Sequence, residues 1–274
     1  YQQWKANKNA KTGSNSTFVV DYVDFPDDAR AAFDKAVDIW STLIESEVTI
    51  HIRAQWGVIA GSSGILGGAN PGTYIRDFSG AQQRFTWYPV ALAEKMSGRD
   101  INGLDENGFP NPDIFAQFNS AYPNWYFGID GVPQVGKTDF VTVVLHEIGH
   151  GLGITKAYDV EGENGIISPF FSPFHMIYDH FIENGNDKKL VAQYVPPSAT
   201  LKTDLTAGAL YFRTPQLEKT STTNDNRARI FAPNPFQPGS SIAHLEETFY
   251  NNTANALMTP QIATAEVAHN PGPI

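Results

Sequence analysis

The stretch VTVVLHEIGHGLGI, which begins at Val141, constrains this chain more than any other part of its sequence. It contains the H-E-x-x-H pattern, formed by His146, Glu147 and His150. Residues four positions apart lie on one face of a helix, so both imidazoles can reach a single ion. Glu147 lies beside them and can act on a water molecule held by that ion. The apolar residues around the pattern predict a buried helix.

Gly151 and Gly153 predict where this helix ends, because glycine tolerates the left-handed conformation that closes a helix C-terminus. The alternative is an ordinary core helix that happens to contain two histidines. That alternative gives no reason for a glutamate at the second position or for two glycines directly afterwards. The pattern therefore predicts a metal site on a buried helix.

Composition excludes several classes of function. A chain of 274 residues with 41% hydrophobic residues predicts one large domain, or one domain with two lobes. A net charge of −10 without a Lys/Arg cluster argues against nucleic acid and anionic membrane surfaces as partners, and we expect no membrane span. The absence of cysteine excludes disulfides, a thiol nucleophile and cysteine ligands, so any metal must be bound by histidine and carboxylate. The acidic, Asn/Gly/Pro-rich composition is typical of an extracellular protein, and we expect a secreted monomer.

Hydrophobic periodicity predicts the elements around the H-E-x-x-H helix. The predicted elements are strands over 17–25, 48–56 and 114–120 and helices over 26–45, 87–98 and 172–185. The Gly/Ser-rich residues 57–80 predict a long loop. We expect the strand at 114–120 to be the sheet edge along which an extended peptide binds.

The segment RDINGLDENGFPNPD, residues 99–113, is dense in Asp, Asn and Gly. Hard oxygen ligands at this density suit calcium, but their spacing differs from that of the EF-hand loop. A turn-rich loop is the preferred interpretation, and a calcium site is the alternative.

Two histidines do not complete a catalytic zinc site, which usually has three protein ligands and one open position. In the commonest secreted arrangement, H-E-x-x-H-x-x-G-x-x-H, the third histidine follows closely after the glycine. Here Lys156 occupies that position, and its ammonium group is not a neutral ligand. The remaining candidates are several carboxylates and the histidines His175, His180, His244 and His269.

The histidine candidates differ in their sequence surroundings. His175 and His180 lie five apart on the predicted helix, so at most one faces the metal. His269 lies in a Pro/Gly-rich tail, where a fixed ligand is not expected. His244 follows the small-residue turn GSSIA, and Met258, in NALMTP, follows it fourteen positions later.

These features together resemble the leishmanolysin-like group of the metzincin clan of zinc metalloproteases and related secreted bacterial proteins. In that group the third zinc-binding histidine comes from beyond an inserted segment, just ahead of a methionine-containing turn. The resemblance implies roles for six residues: His146, His150 and His244 as zinc ligands, Glu147 as general base, Gly153 as the turning glycine and Met258 as the methionine beneath the metal. The chain departs from leishmanolysin in having no cysteine, and no switching tyrosine is assigned.

The resemblance also implies a fold. We expect an α+β, metzincin-like protease with two lobes, in which a mixed twisted sheet lies below two main helices. The C-terminal lobe is expected to be irregular and to contain the Met-turn. Residues 1–16 are expected to form an N-terminal arm, and residues 17–274 a single catalytic domain. Its N-terminal lobe would span about 17–153, and the inserted segment with the C-terminal lobe about 154–274.

The resulting hypothesis is a secreted zinc endopeptidase with one Zn²⁺ ion and a protein or peptide substrate. Glu147 activates the zinc-bound water in this hypothesis. One alternative is a zinc peptidase whose third ligand is a carboxylate, Asp179 or Glu183. Another, from a different class, is a non-catalytic binding module in which zinc is structural.

Overall fold

The chain forms two compact units in the computed structural model, which describes residues 5–6, 16–59, 64–217 and 227–272. The first unit comprises the described residues within 1–82, 89–153 and 262–270. The second comprises those within 83–88, 154–261 and 271–274. The chain therefore leaves the first unit after Gly153 and returns to it at Ile262.

A five-stranded mixed sheet forms the first unit's framework. Its strands are β1 (Lys5–Ala6), β2 (Phe18–Val23), β3 (Ile50–Gly57), β4 (Gly67–Pro71) and β7 (Ile114–Asn119). The chain also contains the short strands β5 (Tyr74–Arg76), β6 (Trp87–Pro89), β8 (Trp125–Tyr126) and β9 (Thr138–Asp139). The strand order is β1-β2-β3-β7-β4, with β2, β3 and β7 parallel and the two outer strands antiparallel to their neighbours. The strands predicted over 17–25, 48–56 and 114–120 are confirmed as β2, β3 and β7.

The prediction of the sheet edge was wrong. Strand β7 lies between β3 and β4, so it is an inner strand, and the edge on that side is β4. The residues GGANP of β4 lie within the stretch predicted as a loop, because glycine and proline weaken every local strand signal. Pairing with β7 from Gly67↔Phe118 to Pro71↔Ile114 compensates for that weak propensity.

Among its described residues, the first unit has three α-helices: α1 (Asp27–Leu43), α2 (Val90–Ser97) and α3 (Phe140–Leu152). The apolar face of α1 is buried as the periodicity predicts, and the Nε1 of its Trp40 donates to the main-chain oxygen of Leu145 in α3 at 3.1 Å. Helix α2 ends at Gly98, whose φ of 70° is left-handed. The helix predicted over 87–98 is therefore confirmed from Val90 onwards, whereas its first residues form strand β6.

Helix α3 is the predicted H-E-x-x-H helix, and it is held at both ends. Asp139 caps its N-terminus by accepting from the N–H of Thr142 at 2.8 Å. The first residue, Phe140, contacts five aromatic rings at centroid distances of 5.0–6.4 Å: Phe25, Trp56, Phe118, Trp125 and Phe127. Gly153 ends the helix at φ 136°, a conformation that L side chains rarely adopt.

The polar loop 99–113 is irregular, as preferred from its composition, and it directs its oxygens to its own backbone. Asp100 accepts from the N–H of Gly103, and Asp105 accepts from the N–H groups of Asn107 and Phe109. Asp113 accepts from the N–H of His51 at 2.8 Å. No calcium-like group of three acidic residues occurs in this loop within the described chain.

The second unit is built from short elements around its own core. It contains β10 (Tyr158–Glu161), β11 (Asn164–Ile167), β12 (Ile182–Asn184), β13 (Leu210–Phe212), β14 (Ala228–Ile230), α4 (Leu190–Gln193), α5 (Ala199–Leu205) and α6 (Glu247–Tyr250). Strands β12, β13 and β14 form an antiparallel sheet, and β10 pairs with β11. The core residues are Tyr158, Tyr178, Ile182, Leu190, Leu201, Leu205, Leu210, Ile230, Ala232 and Ile242.

The helix predicted over 172–185 was wrong. Only Tyr178–Phe181 form a short 3₁₀ turn, and the following residues Ile182–Asn184 form strand β12. The buried carboxylate of Asp179 accepts from the N–H groups of Met176 and Ala157, which fixes a tight turn here. Sheet pairing of β12 with β13 then overrides the helical periodicity of the apolar residues.

No helix in the described ranges is long and apolar enough to cross a lipid bilayer.

The packing of α3 on β7 depends on the absence of a side chain at residue 151. A Cβ atom there would lie 2.3 Å from Cγ2 of Ile114. We expect Gly151→Ala to lower the free energy of unfolding by about 1–3 kcal/mol, the usual cost of overpacking. The measurement is urea unfolding, with Gly68→Ala as control because a Cβ at Gly68 meets no atom within 4 Å. An equal cost in an Ile114→Ala background would contradict the steric explanation.

Two buried carboxyl groups, Glu94 and Asp113, make stability depend on pH. Burial raises the pKa of both, that of Asp113 to about 8, and the two side chains share a hydrogen bond. A carboxyl group whose pKa is higher in the folded than in the unfolded protein stabilises the folded state. This stabilisation is complete below about pH 4 and is lost as the pH rises through about 8. We expect Asp113→Asn, which keeps a donor without an ionisable proton, to flatten this slope in thermal melts from pH 5 to 8. The matched control, exposed Glu106→Gln, should leave the slope unchanged.

Candidate metal centre

Helix α3 places two imidazole rings next to each other in a T-shaped arrangement, with their centroids 4.7 Å apart. Nε2 of His146 and Nε2 of His150 lie 3.0 Å apart, because the two residues are one helical turn from each other. Zinc–nitrogen bonds of about 2.0–2.1 Å at a tetrahedral angle place two ligand nitrogens about 3.3 Å apart. The spacing of this pair is thus close to that required for ligation of one ion.

Glu147 projects from the same helix into a dry environment. The residue is 8% exposed, and burial raises the pKa of its carboxyl group to about 8. The N–H of Ala69, in the edge strand β4, donates to this carboxylate, which opposes the rise. The side chain that the sequence assigns as general base is therefore held against the edge of the sheet.

His244 lies in the second unit, in a segment fixed by backbone hydrogen bonds. Its main-chain oxygen accepts from the N–H of Phe231 at 2.8 Å, and the N–H of the next residue, Leu245, donates to the main-chain oxygen of Met258 at 2.8 Å. Met258 itself is buried, at 7% exposure. The turn that contains Met258 thus supports the segment that contains His244.

The orientation of the His244 ring is set by its other nitrogen. Nδ1 lies 2.8 Å from the main-chain oxygen of Ser240, and a carbonyl oxygen only accepts, so Nδ1 carries the hydrogen. The neutral ring then has its lone pair on Nε2. A histidine that binds metal through one nitrogen commonly donates from the other to a carbonyl or carboxylate, and Ser240 supplies that partner here.

The turn before His244 contains a strained residue. Ile242 has φ of 76°, and a β-branched residue in this region costs of order 1–3 kcal/mol. Its surroundings hold it there: its side chain is fully buried, its N–H donates to Phe231 at 2.7 Å, and its main-chain oxygen accepts from the hydroxyl of Tyr178 at 3.0 Å. The core of the second unit therefore determines the backbone path into His244.

Ligand nitrogens of His146, His150 and His244 lie within 4.8 Å of one another. No other group of three or more His, Asp or Glu residues with this proximity occurs in the described part of the chain. The donor set consists of three imidazoles with no carboxylate, which suits zinc.

The other histidines and Lys156 have different surroundings. Nε2 of His180 lies 3.1 Å from the hydroxyl oxygen of Thr86, and the ring of His175 packs against Tyr158. Lys156 is half-buried and lies over the ring of Phe236, and burial lowers the pKa of its ammonium group. None of the three belongs to the histidine group.

The two carboxylates considered as a third ligand already have strong partners. Asp179 is fully buried and accepts from the N–H groups of Ala157 and Met176, and burial raises its pKa to about 7. Glu183, in strand β12, pairs with Nη1 of Arg213 at 3.2 Å. Neither residue lies in the group that contains His146 and His150.

Sequence reasoning missed the residues that act on this centre through their backbone. Ala69 donates its N–H to the Glu147 carboxylate, and Ser240 offers its main-chain oxygen to His244. Every residue type has these groups, so no side-chain pattern marks such positions. Their role is visible only from the distances.

Comparisons with known proteins identify the family. A family model described as SPBPB7E8-like matches residues 25–194, more than half of the chain, a range that contains α3 and ends before His244. An uncharacterized protein of the fission yeast Schizosaccharomyces pombe is 27% identical over 188 residues, which is 65% of this chain and 31% of that protein. The match thus spans less than a third of the relative's length. No solved structure matches. The chain belongs to the SPBPB7E8-like family.

The third ligand can be tested directly. We expect His244→Ala to weaken zinc binding by more than about 100-fold, a larger loss than is typical of an outer-shell partner. The measurement is competition with a chelating dye, and His180→Ala, outside the histidine group, is the control. Stoichiometric zinc in His244→Ala with unchanged affinity would instead favour Asp179 or Glu183 as the ligand.

Proposed function

We propose that this member of the SPBPB7E8-like family is a zinc-dependent endopeptidase. The observation that carries the proposal is the convergence of three imidazoles beside a buried glutamate on α3, the helix that bears two of them. His146, His150 and His244 would hold the ion. The overall metzincin-like architecture and a location outside the cell are parts of the same proposal.

A zinc ion held by these three histidines would supply Lewis-acid chemistry, making a water molecule more acidic and polarising the carbonyl group of the scissile peptide. Glu147 would accept the proton of the attacking water on its carboxylate and pass it to the leaving amine. The burial of Glu147 also keeps competing water away from the carboxylate.

The substrate surface in this proposal is the edge strand β4. An extended peptide adds to an exposed sheet edge through main-chain hydrogen bonds. Strand β4 has β7 on one side only, so its other side has no strand partner in the described sheet. The N–H of Ala69 in β4 bonds to Glu147, which connects the strand that would bind substrate with the proposed base.

The non-catalytic alternative is less well supported. A purely structural zinc ion needs only ligands, and burying an ionisable glutamate beside them costs free energy without adding to such a site. Glu147 is nevertheless 8% exposed and has a backbone donor aimed at its carboxylate. That arrangement favours a residue retained for proton transfer.

The role of Glu147 separates a protease from a structural zinc protein. We expect Glu147→Gln to bind one zinc ion per chain and to lose about 10²–10⁴-fold in the rate of peptide cleavage, the usual contribution of a general base. The measurements are zinc content and hydrolysis of an unfolded protein substrate with quenched fluorescence. The matched control is Glu266→Gln, since among the described contacts the Glu266 carboxylate bonds within its own turn, to the N–H of Ala263. Undiminished cleavage by Glu147→Gln would rule out the mechanism.

A further inference from the structure

A segment far along the chain returns to the N-terminal end of helix α3. We call residues 262–270, which belong to the first unit, the return segment. The N–H of Ala265 donates to the main-chain oxygen of Lys137 at 2.7 Å, and the N–H of Ala268 donates to the hydroxyl oxygen of Thr142 at 2.9 Å. These bonds connect the return segment to the start of helix α3, although the bonded residues are more than 120 positions apart in sequence.

The centre of this contact is the helix cap Asp139. Its carboxylate is fully buried, and a single oxygen, Oδ2, accepts three bonds: from the N–H of Thr142 at 2.8 Å, from the hydroxyl of Thr142 at 2.7 Å and from Nε2 of His269 at 2.7 Å. The hydroxyl of Thr142 thus donates to Asp139 and accepts from Ala268. His269 is the one side chain of the return segment that reaches the cap among the described contacts.

Two opposing effects act on a buried carboxylate at a helix N-terminus. The helix dipole favours its negative charge, but the loss of hydration must be offset by hydrogen-bond donors. The helix itself supplies Thr142, and the remaining donor comes from His269. Loop residue Gly131, with φ of 70°, lies against the same ring: a Cβ there would be 3.5 Å from Nδ1 of His269. The ring is thus held in one orientation on the cap.

We infer that His269 is a positioning residue of the metal helix, and that the return segment holds α3 in the register that presents its ligands. The connection is physical: α3 is a single rigid element of thirteen residues, and the capped end lies two helical turns before His146. If the capping contact is lost, the first turn of α3 loses its hydrogen bonds. The helix axis that orients His146 and His150 is then no longer fixed. His269 therefore acts on the metal centre without touching it.

The experiment compares His269→Ala with His269→Gln, whose amide donates from nearly the same place as Nε2. Thr142→Val removes the hydroxyl that links Asp139 to Ala268, and so weakens the same contact between the cap and the return segment in a second way. Thr264→Ala, at an exposed position of the return segment, is the matched control. Two quantities are measured on the full chain: hydrogen–deuterium exchange of residues 140–144 without metal, and the zinc dissociation constant.

We expect His269→Ala and Thr142→Val to accelerate exchange at residues 140–144 and to raise the zinc dissociation constant, each about tenfold. A tenfold change corresponds to about 1.4 kcal/mol, which is within the cost of depriving a buried acceptor of a donor. His269→Gln and Thr264→Ala should stay close to the unmodified protein. Unchanged exchange in His269→Ala, or equal acceleration throughout α1, would overturn the inference, because a positioning role acts locally.

The zinc measurement rests on the proposed function, whereas the exchange measurement does not. An unmodified chain that binds no zinc would refute the proposed function, and exchange at residues 140–144 would then decide the role of His269 alone. A chain that binds zinc normally but is insensitive to His269→Ala would keep the proposed function and refute the positioning role.

Discussion

The burial of ionisable groups on helix α3 is the constraint on which the rest of the structure depends. A helix enclosed by apolar side chains can carry a carboxylate and imidazoles only if donors or acceptors replace the lost water. The protein meets this requirement from several directions. The N–H of Ala69 donates to the Glu147 carboxylate. Thr142 and His269 donate to Asp139. The indole N–H of Trp40 donates to the main-chain oxygen of Leu145 in the middle of the helix.

The same constraint explains why so much structure surrounds one short motif. The sheet edge β4 supplies the donor to Glu147, and the missing side chain at Gly151 lets the helix lie close to Ile114 of β7. The second unit has its own core, and that core holds Ile242 in a strained conformation ahead of His244. Backbone strain of this kind persists only where surrounding contacts exceed its cost.

Hydrophobic periodicity correctly predicted the helices and strands in which local propensity and tertiary packing favour the same secondary structure. The alternating or β-rich runs became β2, β3 and β7, and the three- and four-residue spacing of Ala29, Phe33, Val37 and Trp40 became the buried face of α1. Two predictions failed where tertiary contacts prevail. Strand β4 has poor propensity and exists through its pairing with β7, while β12 carries a helical pattern that sheet pairing overrides.

The sequence by itself determined the helix, its terminal glycine and the spacing that puts His146, Glu147 and His150 on neighbouring turns, because these depend on residues within one or two turns of each other. It ranked His244 first among the distant candidates but contained no measure of where that residue lies. Tertiary structure alone decided the proximity of His244, the donor from Ala69, the acceptor at Ser240 and the contact of His269 with Asp139. The contacts of Ala69, His244 and His269 join segments far apart in sequence, so no local pattern encodes them. The contact of Ser240 with His244 is local, but it uses a backbone oxygen that every residue carries, so no side-chain pattern marks it.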